Sequence, residues 1–302
     1  MLFGWGGKTA INVFVLITGY FMCRQEFRWK KLLFFAVEVV FYRWIIAGIF
    51  LAVGYEPFSF KECVKTVLVI PFDFGRGFTS SFLGMYALIP FINRLIQSLD
   101  KKQLEHLLAT LLVLFTGFST FCFNGAFEYV GWYVTVYLAG SYIRLYETRW
   151  MKNLRTTGLL CVGTLFLSWL SVTGIWLVFG VMGRELPYYW FVADSNKILA
   201  IATAVFLFLF FRNLKLGTNK IINAFAASTF GVLMIHASSD TMRRWLWQDV
   251  YGNVQAFSRP CFVFHAFGCT IAVYFVCVLI DMARKAVCRK LLCFFKRDSL
   301  IK

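Results

Sequence analysis

The stretch INVFVLITGYFM, from Ile11 to Met22, decides the class of this protein. It is almost wholly apolar, and a short basic segment separates it from a second apolar run that begins near residue 32. A helix that crosses a bilayer needs about 20 apolar residues, yet only the glycine-interrupted run FGWGGK stands close before Ile11. We therefore expect the chain to open inside a membrane helix bundle, with a further helix before Ile11.

The composition of the whole chain supports the same class. Sixty per cent of the residues are hydrophobic, 15% are charged, and the mean hydropathy is +0.69. Soluble domains average about 45–50% apolar and about 25% charged residues. Over 302 residues these values exclude an ordinary soluble domain and predict a polytopic membrane protein.

Hydropathy and helical periodicity predict an all-α transmembrane bundle of nine spans. The predicted spans cover residues 10–22, 32–54, 77–97, 104–122, 130–146, 157–181, 197–213, 221–237 and 261–281. The first span is short, and Pro90 interrupts the third. Because no internal repeat and no domain-sized insertion is visible, residues 1–302 are predicted to form a single integral-membrane domain.

The basic residues alternate from one loop to the next. Twenty-one Lys and Arg follow the odd-numbered spans, whereas nine lie in the other loops. The positive-inside rule places the first set, and with it the C-terminus, in the cytoplasm. A helix before Ile11 would return the N-terminus to the cytoplasm and give ten spans. Orientation and attraction to anionic lipid then account for the net charge of +16, whereas nucleic-acid binding would require a contiguous basic face.

Two charged residues fall within the second span. Glu38 and Arg43 each cost about 2.5–3.5 kcal/mol on insertion scales, so such residues are commonly functional. A spacing of five residues directs them to different sides of the helix, toward a polar cavity or different partners. A structural ion pair or snorkelling to the interface is the alternative.

Three further residues are candidates at the predicted outer face. Arg76 and Glu128 flank spans and are candidates for substrate contacts, although loop charges of this kind are commonly solvated. His236 ends the eighth span and is a candidate general base, with an interfacial histidine bonded to backbone or water as the alternative. The nine cysteines show no CxxC or Cys/His ligand spacing, so we expect no metal site and no disulfide framework.

Three strings carry a resemblance to a known family: NVFVLITGYFM, GWYVTVYLAGSYIRLY from Gly131, and NAFAASTFGVLMIHASSDTMRRWLW from Asn223. They resemble the integral-membrane acyltransferase family 3, and most closely its branch that O-acetylates surface polysaccharides. FLGMYALIPFIN from Phe82 and LFLFFRNLKL from Leu207 support the resemblance in order and spacing. The resemblance extends over nearly the whole chain.

The resemblance implies a ten-helix bundle in the bacterial plasma membrane. Such a protein takes an acyl group, usually acetyl from cytoplasmic acetyl-CoA, and delivers it to a sugar hydroxyl of a lipid-linked or exported glycan. Basic residues at the cytoplasmic face are then expected to bind the phosphates of coenzyme A, with solvated positive-inside charges as the alternative. They are Arg24, Arg28, Lys30, Lys31 and Arg144.

One feature of the family has no counterpart in the printed sequence. The family's first helix carries an Arg and, further along, a His thought to be the catalytic base, and neither residue type occurs before Ile11. The catalytic pair is therefore not carried over. A catalytically inactive remnant or partner subunit remains an alternative, as does a glycan or lipid transporter, which would favour inverted repeats and acidic residues at the membrane midplane.

Overall fold

The structure, a computed structural model, describes residues 6–74, 77–122, 128–182 and 188–298, and the regular structure in these ranges is all helical. The α-helices are α1 (Gly7–Met22), α2 (Trp29–Ala52), α3 (Phe60–Val67), α4 (Val69–Phe72), α5 (Phe78–Ser98), α6 (Lys101–Leu112), α7 (Phe118–Phe121), α8 (Tyr129–Leu145), α9 (Arg149–Lys152), α10 (Leu154–Val181), α11 (Ile198–Asn213), α12 (Lys220–Ala227), α13 (Thr229–His236), α14 (Asp240–Arg244), α15 (Asn253–Ala256) and α16 (Phe262–Asp298). π-Helical segments join α6 to α7 and follow α14, at Val113–Gly117 and Trp245–Val250. The predicted all-α membrane fold class is confirmed.

Each predicted span coincides with helix in the described residues. Four helical stretches are long and apolar enough to cross a membrane: Trp29–Ala52, Lys101–Phe121, Leu154–Val181 and Phe262–Lys290. Shorter apolar helices cover Lys8–Met22 and Ile198–Asn213. The number of spans therefore stays a prediction.

Two details differ from the sequence-based expectations. Helix α5 continues through Pro90 without a break, because a proline removes a single backbone donor and neighbouring packing can hold the helix together. The predicted span 221–237 is divided at Ser228, where α12 ends and α13 begins.

Side-chain caps fix where several helices begin. The Asp100 carboxylate accepts from the Gln103 backbone N–H at 2.8 Å, and the Gln103 side chain accepts from the Asp100 N–H at 3.0 Å, a capping box that starts α6. Asn153 and Asn219 also cap helices, α10 and α12, each accepting two backbone N–H groups. These caps satisfy donors that a helix leaves unpaired at its first turn.

The chain divides into two compact units, which are described separately. Unit 1 comprises residues 1–33 and 73–216, and unit 2 comprises residues 34–72 and 217–302. Unit 1 contains α1 and α5 to α11 together with the first turn of α2. Unit 2 contains the remainder of α2, α3, α4 and α12 to α16.

Helices α1 and α8 form the centre of unit 1 and approach unusually closely. A Cβ atom on Gly19 would stand 2.2 Å from the backbone oxygen of Tyr137, and one on Gly140 would stand 2.4 Å from the backbone oxygen of Leu16. Only glycine permits this separation, as in other close helix pairs within membranes. Trp132 and Tyr137 of α8 are fully buried around the contact.

Helices α13 and α16 pack together in unit 2. A Cβ atom on Gly231 would stand 2.3 Å from Oδ1 of Asp281, so a glycine here makes room for a carboxylate. The Asp281 side chain is fully buried. This buried charge organises the contacts between α2, α13 and α16 that are described below.

Candidate functional site

Four helices of unit 1 run in the same direction and give the unit two polar ends. At one end α1, α5, α8 and α11 begin, and at the other they finish, as contacts near both ends show. We call the end where these helices finish the basic end, defined by Arg24, Arg94, Arg144 and Arg212. We call the end where they begin the hydroxyl end, defined by Lys8, Thr9, Ser80, Ser81, Tyr129, Tyr133, Asp194 and Ser195.

A polar cleft of about 310 Å³ lies at the basic end. The segment after α1 supplies one wall, including Arg24, and α5 supplies the other, including Arg94. Asn93 fixes the base of the cleft: its Nδ2 donates to the Met22 carbonyl at 3.0 Å, and its Oδ1 accepts from the Tyr137 hydroxyl at 2.7 Å. Two exposed guanidinium groups therefore flank a floor that hydrogen bonds hold in place.

Two more arginines meet at Tyr20, one turn before Cys23 of the cleft. Arg144 Nη1 donates to the Tyr20 hydroxyl at 3.0 Å, and the Arg144 and Arg212 guanidinium carbons lie 4.9 and 5.8 Å from the Tyr20 ring centroid. Arg212 also pairs with Glu147 at 2.8 Å. Its Nη1 is buried and has no hydrogen-bond partner among the described residues. A buried donor of this kind suits an anionic ligand.

The thiol of Cys23 lines the same cleft. Burial raises its pKa above the usual value, although a hydrogen bond with Ser141 and the charges of Arg24 and Arg144 oppose the rise. The thiol therefore remains protonated at neutral pH. Because the thiolate is the nucleophilic form of cysteine, a protonated Cys23 is a poor nucleophile.

Lys8 is the centre of the hydroxyl end. Its ammonium lies 3.1 Å from Oδ1 of Asp194 and donates to the Tyr129 hydroxyl at 3.3 Å. Asn12, one turn further along α1, is fully buried; it donates to the Ser195 carbonyl at 2.6 Å and accepts from Trp132 Nε1 at 3.0 Å. These bonds join α1, α8 and the segment before α11.

Several buried hydroxyl groups at this end have no hydrogen-bond partner within the described ranges. They belong to Thr9, Ser80, Ser81, Tyr133 and Ser195. A buried unpaired hydroxyl costs about 1–3 kcal/mol in protein mutational data. Thr9 and Ser195 adjoin Lys8 and Asp194 in sequence, and Tyr133 lies one turn after Tyr129, so part of this buried set lies close to the Lys8–Asp194 pair.

Lys197, which immediately precedes α11, is buried a few residues from Asp194. Its ammonium donates to the Ser119 carbonyl and lies 4.1 Å from the Trp190 ring centroid, a cation–π contact. The residue therefore contributes a desolvated cation near the hydroxyl end.

A family model described as acyltransferase domain matches residues 6–282 of the chain. The chain belongs to acyltransferase family 3. The match includes every residue that defines the two polar ends of unit 1. No curated protein and no solved structure matches the chain in the corresponding searches. Membership and the apolar helices together identify the family 3 chain as a membrane protein and support acyl transfer as its general activity.

The basic residues predicted to bind coenzyme A separate into two groups in the family 3 chain. Arg24 and Arg144 belong to the basic end, as described above. Arg28, Lys30 and Lys31 are exposed at the start of α2, and their side chains form no hydrogen bond or ion pair within the described part of the chain. Their proposed role in coenzyme A binding stays a prediction.

The two residues predicted to contact substrate have different outcomes. Glu128 caps α8: its carboxylate accepts from the backbone N–H groups of Val130 and Gly131 at 2.9 and 2.6 Å. This role fixes the start of the helix that carries Tyr129 and Tyr133. Arg76 lies outside the described residues.

The predicted catalytic candidates lie in unit 2. Glu38 Oε1 accepts from Arg284 Nη2 at 2.6 Å, and Arg43 donates to the Ser238 carbonyl, so the two residues have different partners. His236 Nδ1 lies 2.7 Å from the Val232 carbonyl. Each of these side chains is in contact with groups of unit 2, and none belongs to the two polar ends of unit 1.

Sequence reasoning missed Arg94, Arg212 and Asp194 as site residues. Arg94 and Arg212, like Arg24, belong to the basic residues that follow the odd-numbered spans. A search for arginines at the end of every odd-numbered span would therefore have included them. The buried hydroxyls carry no comparable signal, because serine and threonine are common in ordinary membrane helices.

Proposed function

We propose that this family 3 chain transfers an acetyl group from acetyl-CoA to a sugar hydroxyl of a cell-surface or lipid-linked polysaccharide in the bacterial plasma membrane. The observation that carries the proposal is the cleft of about 310 Å³ flanked by Arg24 and Arg94 at the basic end. Family membership supports the acyl-transfer chemistry. The charge distribution of the sequence supports a cytoplasmic position for the basic end.

The basic end fits the donor. Acetyl-CoA carries phosphate groups, and guanidinium forks bind phosphate with charge-assisted hydrogen bonds. Arg24 and Arg94 would contact phosphate in the cleft, and the unpartnered Nη1 of Arg212 would supply a further donor. Arg144 is held by Tyr20 and would add positive potential beside them.

The hydroxyl end fits the acceptor. A sugar presents several hydroxyls that both donate and accept, and the partly exposed side chains of Lys8, Tyr129 and Asp194 have the complementary capacity. Asp194 would accept from a sugar hydroxyl, and the ring of Tyr129 would offer an apolar face.

The reaction balances without a further reagent. The acceptor hydroxyl oxygen forms an ester bond to the acetyl carbon, the carbon–sulfur bond of the thioester breaks, and the hydroxyl proton ends on the coenzyme A thiol. Cys23, the residue that follows α1, stands fifteen positions after Lys8, about 22 Å at 1.5 Å per residue. The donor arm would therefore extend along the bundle from the basic end toward the hydroxyl end.

Replacing Arg94 tests the donor side of this proposal. We expect Arg94→Gln to raise the KM for acetyl-CoA about tenfold, because one charge-assisted hydrogen bond contributes about 1.5 kcal/mol, while the KM for the acceptor stays unchanged. Initial rates with radiolabelled acetyl-CoA and purified cell-envelope glycan provide the measurement. Lys102→Gln, an exposed cation of unit 1 that does not line the cleft, is the matched control.

Replacing Asp194 tests the acceptor side. Asp194→Asn is expected to raise the KM for the glycan several-fold and to leave the KM for acetyl-CoA unchanged, the reverse of the Arg94 result. The same assay, run at saturating donor, measures it. If both variants moved the same constant, the division into donor and acceptor ends would be wrong. If the full chain transferred no acetyl group to any envelope glycan, the proposed function would be overturned.

A further inference from the structure

The turn that follows α1 carries Arg24, one of the two guanidinium groups that flank the basic cleft. The Gln25 backbone N–H closes this turn by donating to the Met22 carbonyl at 3.2 Å. Met22 is the last residue of α1, so its carbonyl accepts no bond from within the helix. Asn93 Nδ2 donates to the same carbonyl at 3.0 Å. A single oxygen atom therefore ties the Arg24 turn to α5.

The Asn93 amide has one orientation in this arrangement. A backbone carbonyl can only accept, so Nδ2 must face Met22 and Oδ1 must face Tyr137. The Tyr137 hydroxyl donates to Oδ1 at 2.7 Å. The next residue on α5 is Arg94, which carries the second guanidinium group of the cleft. Asn93 therefore connects the turn that holds Arg24 with the helix that holds Arg94.

Tyr137 supplies the fixed point for these hydrogen bonds. Its side chain is fully buried and does not line the cleft. Its backbone oxygen lies at the close contact of α1 and α8, where Gly19 leaves no room for a Cβ atom. A buried hydroxyl without a partner is costly, so the Tyr137 hydroxyl favours the Asn93 rotamer that satisfies it. The position of the Arg24 turn thus depends on a buried residue of α8.

We propose that Tyr137 and Asn93 are positioning residues that set the separation of Arg24 and Arg94 for the phosphates of the acyl donor. This inference rests on the proposed function, because it concerns the same donor cleft. Guanidinium groups bind phosphate through directional hydrogen bonds, so two of them act on one ligand only when their separation matches it. Arg24 stands on an exposed turn, and fixing the base of that turn reduces the freedom that is lost on binding.

The test measures the binding of coenzyme A to the purified full chain in detergent by isothermal titration calorimetry. Tyr137→Phe removes the hydroxyl that holds Asn93 and leaves the ring in place. We expect it to raise the Kd for coenzyme A about fivefold, the effect of one neutral hydrogen bond. Tyr142→Phe is the matched control on the same helix: its hydroxyl donates to Glu105 at 2.6 Å, but neither residue lines the cleft. The control should leave the Kd unchanged.

A double-mutant cycle determines whether Tyr137 acts through Arg24. In a chain that already carries Arg24→Gln, Tyr137→Phe should raise the Kd less than about twofold, because the group that Tyr137 positions is absent. A general loosening of α8 would weaken binding equally with and without Arg24, and that result would overturn the proposal. Equal weakening by Tyr137→Phe and Tyr142→Phe would overturn it as well.

The binding measurement also distinguishes this inference from the proposed function. If coenzyme A binding followed the expected pattern but the chain transferred no acetyl group to any envelope glycan, the proposed transfer would be overturned and the positioning role would stand. If the wild-type chain bound no coenzyme A, both would be overturned. If transfer occurred but the double-mutant cycle showed no coupling, only the positioning role would be lost.

Discussion

Gly19→Ala is expected to destabilise the protein by about 3 kcal/mol, near the upper end of the usual range for an overpacked core. The added Cβ would stand 2.2 Å from the backbone oxygen of Tyr137 and 3.0 Å from its Cα. Backbone atoms cannot rotate out of the way as a side chain can, so α1 and α8 must separate. The second close approach, at Gly140, would open with them.

The measurement is the free energy of unfolding in mixed micelles titrated with a denaturing detergent. Gly163→Ala on α10 is the matched control, because nothing lies within 4 Å of the position of its Cβ. There the helix preference of alanine acts alone and favours the folded state by roughly 0.5–1 kcal/mol. The two substitutions are thus expected to have opposite signs. Equal small effects would contradict the close contact of α1 and α8.

Asp281→Ala is expected to cost about 3–5 kcal/mol, because it removes a fully buried carboxylate and leaves two partly buried cations without their partner. Oδ1 of Asp281 accepts from Tyr42 at 2.8 Å and from Arg284 at 2.7 Å, and Oδ2 lies 2.6 Å from the Lys285 ammonium. The carboxylate is fully buried. Glu38 alone would remain to balance two positive charges.

The structure provides a control of the same residue types and spacing. Asp240 and Arg243 form an Asp–Arg pair three residues apart at 2.5 Å, but the Asp240 side chain is 98% exposed. Exposed pairs of this kind contribute little to stability, so Asp240→Ala should leave the unfolding transition almost unchanged. A thermal melt of both variants in detergent distinguishes them. A comparable loss in both would show that burial is not what makes the Asp281 network important.

Much of the helical architecture could be predicted from the sequence. A long apolar segment within a bilayer must satisfy its backbone hydrogen bonds internally, and a helix does so. The stretch at Ile11–Met22 is helix α1, and the apolar run after it is α2. The interruption at Ser228 was missed, because a local change of hydrogen bonding inside an apolar run leaves hydropathy unaltered.

The contacts between distant residues were beyond sequence reasoning. Glu38 was recognised as a costly charge, but its partner Arg284 stands 246 positions later and looked like part of a basic tail. Asp194 resembled any solvated loop carboxylate until the fold placed Lys8 beside it. Such pairs depend on which helices are neighbours, and a single sequence does not contain that information.

The residues that line the basic cleft are separate from those that hold the helices together, and this separation affects how the protein can change over evolutionary time. One wall belongs to the short connection between α1 and α2, which holds Arg24, Gln25 and Glu26, whereas the glycine contacts that keep α1 against α8 lie deeper in the bundle. With the donor bound as proposed, substitutions in the connection would alter which donor the cleft accepts without disturbing the helix packing. New donor preferences would then be accessible by single mutations with little penalty in folding, and directed evolution of the proposed activity should begin at these three positions.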